Sequence, residues 1–501
     1  MSDNPSPVLP GIEHIVVLML ENRSFDNVLG WLYDPANAPP FDKVPDGQIF
    51  EGLSGKGLTN PWTGHANVPA GSTTDTTNPN PDPGEEYEKV YQQLYNIDPH
   101  QDPIPPDPPQ PPPMTGFVNN YVAEHPNIDP SRVMNGFRPA QLPIISRLAN
   151  AFVVCDHWFA PVPSQTLTNR SFMHAGTSSG YVNNKLGEMP VFINDTDTIY
   201  DLLENQQVDW RIYHGGHWFL CNALLTQGRL EQYIAGCLIE ESTRIQPLQN
   251  LFDAAAIGNL PNYAFVEPNF LASIVHGPET DMHPEAGLID LPDLPSDAKY
   301  GDKLVGRIYD ALKNGPQWDS TLFIVTFDEH GGCYDHVPPG SAEPPDDRIV
   351  ADGELGYSGF KFNRYGVRVP ALMISPRLRR GAVDHTIYDH TSILRTVMDK
   401  FSLQGDLGNR TATANPLAPP MVEPRPASDM PEVPEALTDN PVVTQDAPLS
   451  GMRRSMVHAA IDRMHAQLPA GTANKPEATS KLQAESALQS LVDLVRNLPK
   501  L

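Results

Sequence analysis

Apolar residues along this chain gather in short continuous runs that stop abruptly at acidic or amide side chains. Ile15-Val16-Val17-Leu18-Met19-Leu20 ends in Glu21-Asn22, and Thr321-Leu322-Phe323-Ile324-Val325-Thr326-Phe327 ends in Asp328-Glu329-His330. Runs of this length, rich in β-branched residues and without polar alternation, predict strands buried on both faces of a parallel sheet. Open α/β sheets place their active sites at the carboxyl ends of the strands. Both runs therefore deliver oxygen donors to the edge where chemistry is expected. Elsewhere the period is helical: Glu85–Tyr95 and Arg170–Gly176 have helical character. Ser486–Leu498 sets Leu488, Leu491, Val492 and Val495 on one stripe, predicting an amphipathic helix packed back on the body.

Proline interrupts this pattern. The chain holds 54 prolines in 501 residues, about twice the usual share of about 5%. They cluster in Pro39–Pro83, in a near-polyproline tract over Asp98–Pro113, and in Pro416–Pro448. The expected organisation is a catalytic domain over 1–415, with 38–114 as an insertion over the active face. A linker over 416–448 and a helical tail over 449–501 follow. Long surface excursions of this kind often carry substrate-gating loops.

Charge narrows the function classes. A net charge of -27 excludes nucleic acid as a partner, since that needs a basic face. An apolar share of 40% fits a soluble globular enzyme, and no apolar run has the length of a membrane span. The Ile12–Leu20 run contains Glu13 and His14 and lacks a basic leader, so it reads as a strand and not as a signal peptide. The expectation is a cytoplasmic chain, or one exported by a non-classical route. Cys155 and Cys333 read as buried thiols; a Cys221–Cys237 pairing stays open.

The segments Glu21-Asn22-Arg23-Ser24-Phe25-Asp26-Asn27 and Thr326-Phe327-Asp328-Glu329-His330-Gly331-Gly332-Cys333-Tyr334-Asp335-His336-Val337 resemble the phosphoesterase family of bacterial and plant phospholipases C and acid phosphatases. Further blocks match in order: Val133–Phe137, Leu148–Phe159, Val266-Glu267-Pro268, Asp281-Met282-His283-Pro284, Gly366–Pro370 with Ile374–Pro376, and Asp389–Ser392. The resemblance runs from about Ile12 to about Phe401. It implies an alkaline phosphatase-like fold, a three-layer α/β/α sandwich around a mainly parallel sheet.

The same resemblance implies a site. Thr166, three residues before the pair Asn169-Arg170, takes the nucleophile's position, with Ser164 and Thr168 as competitors. Glu21, Asn22, Asp328, Glu329 and the Thr166 hydroxyl become the metal ligands. An all-oxygen set suits Ca²⁺, Mg²⁺ or Mn²⁺. His283 and His390 are the proton-donor candidates. His330, Glu85, Asn169 and Asp389 are expected to contact substrate, and Arg23 and Ser24 to fix the loop. One departure stands out: Glu85 follows Asp82-Pro83-Gly84 where many relatives carry histidine. The leading expectation is a phospholipase C acting on phosphatidylcholine-type lipids with transient membrane-surface contact. The alternatives are an acid phosphatase for soluble phosphomonoesters and a non-catalytic binding or toxin module. Trp210, Tyr213, Trp218 and Phe219 are the candidate choline cage, with core packing as their default role. Oligomeric state is left open.

Overall fold

The computed structural model describes residues 8–97, 111–184, 192–238, 242–272, 277–284, 297–348, 360–434, 449, 451–466, 468 and 474–496. Its centre is an eight-stranded sheet. The strands in chain order are β1 (His14–Leu20), β2 (Val153–Cys155), β3 (Trp210–His214), β4 (Ile245–Pro247), β5 (Tyr263–Glu267), β6 (Thr321–Phe327), β7 (Ala371–Ile374) and β8 (Ala382–Asp384). Across the sheet they run β8-β2-β7-β6-β1-β5-β3-β4. Only β7 is antiparallel to its neighbours, so the other carboxyl ends share one edge.

The two predicted runs lie side by side at the centre. Every residue of β1 and β6 is buried, and the register pairs Leu20 with Phe327. Glu21 and Asp328 therefore leave the sheet at the same height. The Asp328 N–H donates to Leu20 O at 3.1 Å and continues the ladder one step further. Each fully buried aliphatic side chain here contributes about 1.5–3 kcal/mol. A charge at Val17, which is fully buried in the core, would break the layer.

The main helices are α1 (Tyr87–Tyr95), α2 (Pro143–Ala151), α3 (Thr166–Ala175), α4 (Leu248–Ile257), α5 (Ala298–Lys313), α6 (His390–Phe401), α7 (Gly451–His465) and α8 (Lys481–Arg496). One group packs α2 and α4 on α5; the other packs α3 on α6, completing an α/β/α sandwich. The helix read over Arg170–Gly176 begins earlier, at Thr166, and ends on Gly176 in the left-handed region. The tail helix likewise begins at Lys481, ahead of Ser486.

The Pro-rich excursion has a small core of its own. Leu53 and Val68 join Val90, Tyr91 and Leu94 of α1 and Phe117 and Tyr121. Residues 98–110 of the proline tract and 435–448 of the second Pro-rich stretch lie outside the described residues. The tail helices share one apolar cluster with the body. Met456, Ile461, Leu488, Leu491 and Val492 pack with Leu167, Phe219 and Phe270. All four cysteines are free and buried, so the open Cys221–Cys237 pairing is not made.

Candidate active site

Three chain segments meet at the carboxyl edge. Asn22 takes a left-handed backbone (φ 57°), a conformation asparagine tolerates, and this turns its amide back over the sheet edge. Its N–H donates to Asp328 Oδ1 at 3.0 Å, while its Oδ1 accepts the Thr166 hydroxyl at 3.2 Å. Its Nδ2 donates to Glu85. The β6 loop closes on it: the Arg23 N–H donates to Glu329 O at 3.1 Å. Gly331 (φ 60°) passes so close that a Cβ there would sit 2.1 Å from Asn22 O. A glycine is required at that crossing on both counts.

Arg170, on the first turns of α3, is the charge hub. Its Nε lies 3.3 Å from Glu21 Oε1 and 3.2 Å from Asp328 Oδ2, and its Nη2 donates to Met19 O and Leu20 O. Glu21 and Asp328 thus flank a single nitrogen. Burial alone would lower the Arg170 pKa, yet Asp328, Glu21 and Glu267 raise it above its ordinary value. Burial holds the Glu21 carboxyl well above the ordinary range, with Arg170 opposing. Asp328 is raised chiefly by burial. Glu329 is raised well above by burial and by Asp328, and Glu85 by burial and by Asp82 and Glu329.

Two of these carboxyls have an oxygen to offer a divalent cation. Glu21 Oε2 and Glu329 Oε1 are buried acceptors with no hydrogen-bond partner among the described residues. Like the Asn22 amide oxygen and the Thr166 hydroxyl, they are oxygen donors of the kind Ca²⁺, Mg²⁺ and Mn²⁺ take.

The three hydroxyls of the Ser164–Thr168 segment point to different partners. Ser164 Oγ donates to Val182 O and Thr168 Oγ1 to Tyr181 O at 3.4 Å, so both tie α3 to the neighbouring chain. Only Thr166 meets Asn22. Asn169 braces the same turn: its Nδ2 donates to Ser164 O and Gln165 O, and its Oδ1 accepts from the Val162 N–H. These bonds make Asn169 part of the framework and leave its amide no proton for a substrate.

The histidines divide by surroundings. His283 Nε2 lies 3.8 Å from Glu85 Oε2, and its Nδ1 meets Pro284 O. Burial lowers its pKa to about 3. His330 sits between Glu329 Oε2 at 3.2 Å and Gln93 Oε1 at 2.8 Å, with its pKa lowered by burial to about 3. His390 spans Trp158 Nε1, which donates to its Nδ1 at 3.2 Å, and Asp328 O, 2.7 Å from its Nε2. Both ring nitrogens are thus engaged behind Asp328, a place for holding the β6 end and not for protonating a leaving group. Asp389 caps α6 through the Thr391 N–H and pairs with Arg410 Nη1 at 3.1 Å. Its side-chain bonds thus run to the start of its own helix and to Arg410.

The expected loop-fixing pair behaves accordingly. Arg23 Nε donates to Met282 O at 2.8 Å, and Ser24 Oγ donates to Tyr334 O at 2.6 Å. Below them Arg368 binds Asp26 at 2.9 Å and Asp335 at 3.2 Å, and His336 Nδ1 lies 2.6 Å from Asp26. The aromatic set splits. Trp210 and Tyr213 are core residues, while Trp218 and Phe219 line a cavity of about 690 Å³ with His214, His217, Ile245 and Val492.

Several site residues escaped the sequence reading. Gln93 reaches His330 from α1, and Asp82 stands with Glu85 and His283. Arg453 of α7 contacts Asp281 at 3.1 Å and Glu279 at 3.2 Å, although 172 residues separate it from Asp281. Asp281 O in turn accepts the Glu21 N–H at 2.8 Å. The signal for Arg453 was available: it shares a helical stripe with Met456, Ala460 and Met464, an arginine on an otherwise apolar face.

Residues 12–404 match the Phosphoesterase family. The chain belongs to that family. It is, accordingly, a phosphoric ester hydrolase. Among curated members of similar sequence, Non-specific phospholipase C3 of Arabidopsis thaliana is 33% identical over 473 residues, covering 90% of this chain and 82% of its own. Non-specific phospholipase C5 of the same plant is 34% identical over the same shares. Phospholipase C B of Mycobacterium tuberculosis is 27% identical, covering 82% of this phosphoesterase and 79% of its own chain. Among solved structures, an alkaline phosphatase superfamily protein from Vibrio parahaemolyticus overlaps 55% of this chain and 64% of its own, at 18% identity and a TM-score of 0.31. No helix among the described residues is long and apolar enough to cross a membrane.

Proposed function

We propose that this phosphoesterase is a phospholipase C that cleaves phosphatidylcholine-type lipids to diacylglycerol and a phosphorylated headgroup, with Thr166 as nucleophile. The observation that carries the reading is the single hydroxyl, Thr166 Oγ1, aimed at Asn22 among Glu21, Asp328 and Glu329. The printed names of the phospholipase C relatives support the lipid substrate.

Glu21, Asn22, Asp328, Glu329 and the Thr166 hydroxyl would hold the divalent cation, which when bound favours the alkoxide and neutralises charge on the phosphoryl group. In the first step the Thr166 hydroxyl loses its proton to solvent, its oxygen bonds to phosphorus and the bond to the glycerol oxygen breaks. The departing oxygen takes a proton; water then releases the phosphorylated headgroup from Thr166. Glu85 and His283 supply the proton path. Burial and neighbouring acids favour the protonated carboxyl at Glu85, and His283 faces it. Glu85 thereby fills the post that histidine holds in many relatives. Arg170 holds Glu21 and Asp328 in place, and Asn169, His390 and Asp389 keep α3, the β6 end and α6 in register.

The lipid class draws on the cavity beside Trp218 and Phe219. Its walls at His214 and His217 adjoin a smaller cleft that reaches Phe270, whose ring lies under the Arg170 guanidinium at 5.2 Å. An apolar cavity of this size suits the non-reacting part of a lipid. A phosphomonoester arrives with close to two negative charges and meets the carboxylates of the site, whereas a choline diester carries a cation that the same field attracts. The test compares kcat/KM for phosphatidylcholine and p-nitrophenyl phosphate at equal pH and ionic strength, with and without chelator. A ratio above one that chelation abolishes is expected. A ratio below one moves the assignment to a phosphomonoesterase.

A further inference from the structure

A second cluster of donor atoms lies away from Thr166, at the outer part of the sheet. β2 and β8 pair in parallel with Cys155 opposite Asp384, so Asp156 and His385 leave the sheet side by side. The Asp156 N–H donates to Asp384 O at 3.1 Å and keeps the two chains in step beyond the strands. His157 follows directly. Asp156 Oδ1 lies 2.7 Å from His157 Nδ1 and 2.8 Å from His385 Nδ1, and the two rings stand at 82° with centroids 6.0 Å apart.

We propose that Asp156, His157 and His385 form a binding site for Zn²⁺ or a similar imidazole-seeking divalent cation, separate from the oxygen-only site at Thr166. One carboxylate oxygen and two imidazole nitrogens all lie within 4.8 Å of one another. Zinc bonds of about 2.0–2.2 Å in a tetrahedral shell place donors roughly 3.3–3.5 Å apart. The oxygen–nitrogen separations need to open by only about half an ångström to reach that spacing. The histidine side chains, 28% and 46% exposed, have the freedom to do so, while fully buried Asp156 is fixed.

The surroundings fix which carboxylate oxygen faces the two rings. Asp156 Oδ2 is occupied by the Glu51 N–H at 3.0 Å, so Oδ1 is the oxygen presented to the rings. Arg368 also touches this corner, through Asp156 O and Glu51 O, but its charge is met by Asp26 and Asp335. A bound cation would take Nδ1 of each ring, with the ring proton on Nε2. Solvent supplies the fourth position. Imidazoles draw zinc, whereas the donors around Thr166 draw harder cations. The bound ion would clip β2, β8 and, through Glu51, the Pro-rich excursion together.

The test uses the untagged full chain, stripped with chelator, saturated with Mg²⁺ and titrated with Zn²⁺ by calorimetry at near-neutral pH. The unaltered chain is expected to bind one zinc equivalent more than the His157→Ala/His385→Ala variant, with phosphoester hydrolysis in Mg²⁺ unchanged between them. With Cu²⁺ as probe, electron paramagnetic resonance should show coupling to two imidazole nitrogens, and to one in His385→Gln. That single variant alters the more exposed ring and keeps the test valid if the double variant does not fold. Equal zinc stoichiometry and affinity in the unaltered chain and the variants, or no imidazole coupling, would overturn the proposal.

Discussion

Thr166, Ser164 and Thr168 stand within one turn of each other, yet only one hydroxyl is turned toward the acids. Thr166→Ala is therefore expected to lose hydrolysis by several orders of magnitude while its melting temperature stays within a few degrees. Ser164→Ala and Thr168→Ala each give up a buried bond to a carbonyl. They should cost about 1 kcal/mol of stability and keep most turnover. Initial rates with thermal melts on all three variants check this, and an inactive Ser164→Ala beside an active Thr166→Ala would reassign the nucleophile. Gly331 makes a second prediction. Alanine there combines a left-handed backbone with a Cβ against Asn22 O, so stability should fall by at least about 1 kcal/mol. Because Asn22 is the group displaced, cation affinity should fall with it, measurable by calorimetric titration.

Strands and helices explain why part of this site was legible in the sequence and part was not. β1 and β6 announce themselves because a strand buried on both faces must be continuously apolar, and the first polar residue then marks the sheet edge. Glu21, Asn22, Asp328 and Glu329 could be placed on that ground together with the family motifs. Thr166 needed the Asn169-Arg170 spacing as well, since a threonine starting a helix is otherwise an ordinary residue. Nothing local ties Gln93 to the site, and Asp82 was marked only as the start of the motif before Glu85; the fold of the excursion brings both in. The split of the aromatics has a similar cause. Trp210 and Tyr213 belong to β3 and must face the core, whereas Trp218 and Phe219 belong to the irregular turn after it. The tail helix α7 offers the test at this scale. Arg453→Met leaves Asp281 and Glu279 buried without their guanidinium, and losing one partner of a buried ion pair costs about 3–5 kcal/mol. Turnover should drop too, because Asp281 O holds the Glu21 N–H. Arg454→Ala, one residue on and exposed, should change neither melting temperature nor rate.

The whole molecule responds to pH and cation through its buried charges. Burial alone would lower the His336 pKa, but Asp26 and Asp335 raise it above the ordinary 6.5. A histidine raised in the folded state stabilises fully below its unfolded pKa and loses that contribution as pH rises through the folded value. Denaturant unfolding should therefore show stability declining above about pH 6.5, with the decline flattened in His336→Gln. The site carboxyls have the opposite consequence for the cation. Glu21, Asp328 and Glu329 sit above their ordinary range, so protons compete with the metal. Cation affinity should accordingly rise with pH, read as a Kd that falls as the pH is raised. Chelation should also lower the melting temperature, since a cation at a hundredfold its Kd adds about 2.7 kcal/mol to the folded state.

The reach of Arg453 across 172 residues to Asp281 bears on how the enzyme comes into being. The sheet, Thr166 and all the acids around it are synthesised before the arginine that neutralises Asp281 and Glu279. A chain emerging from the ribosome thus carries its entire catalytic set before it can seat the strand end that holds Glu21. Full hydrolytic activity is therefore expected only once the last helices have folded home, and an incomplete copy should be a poor enzyme.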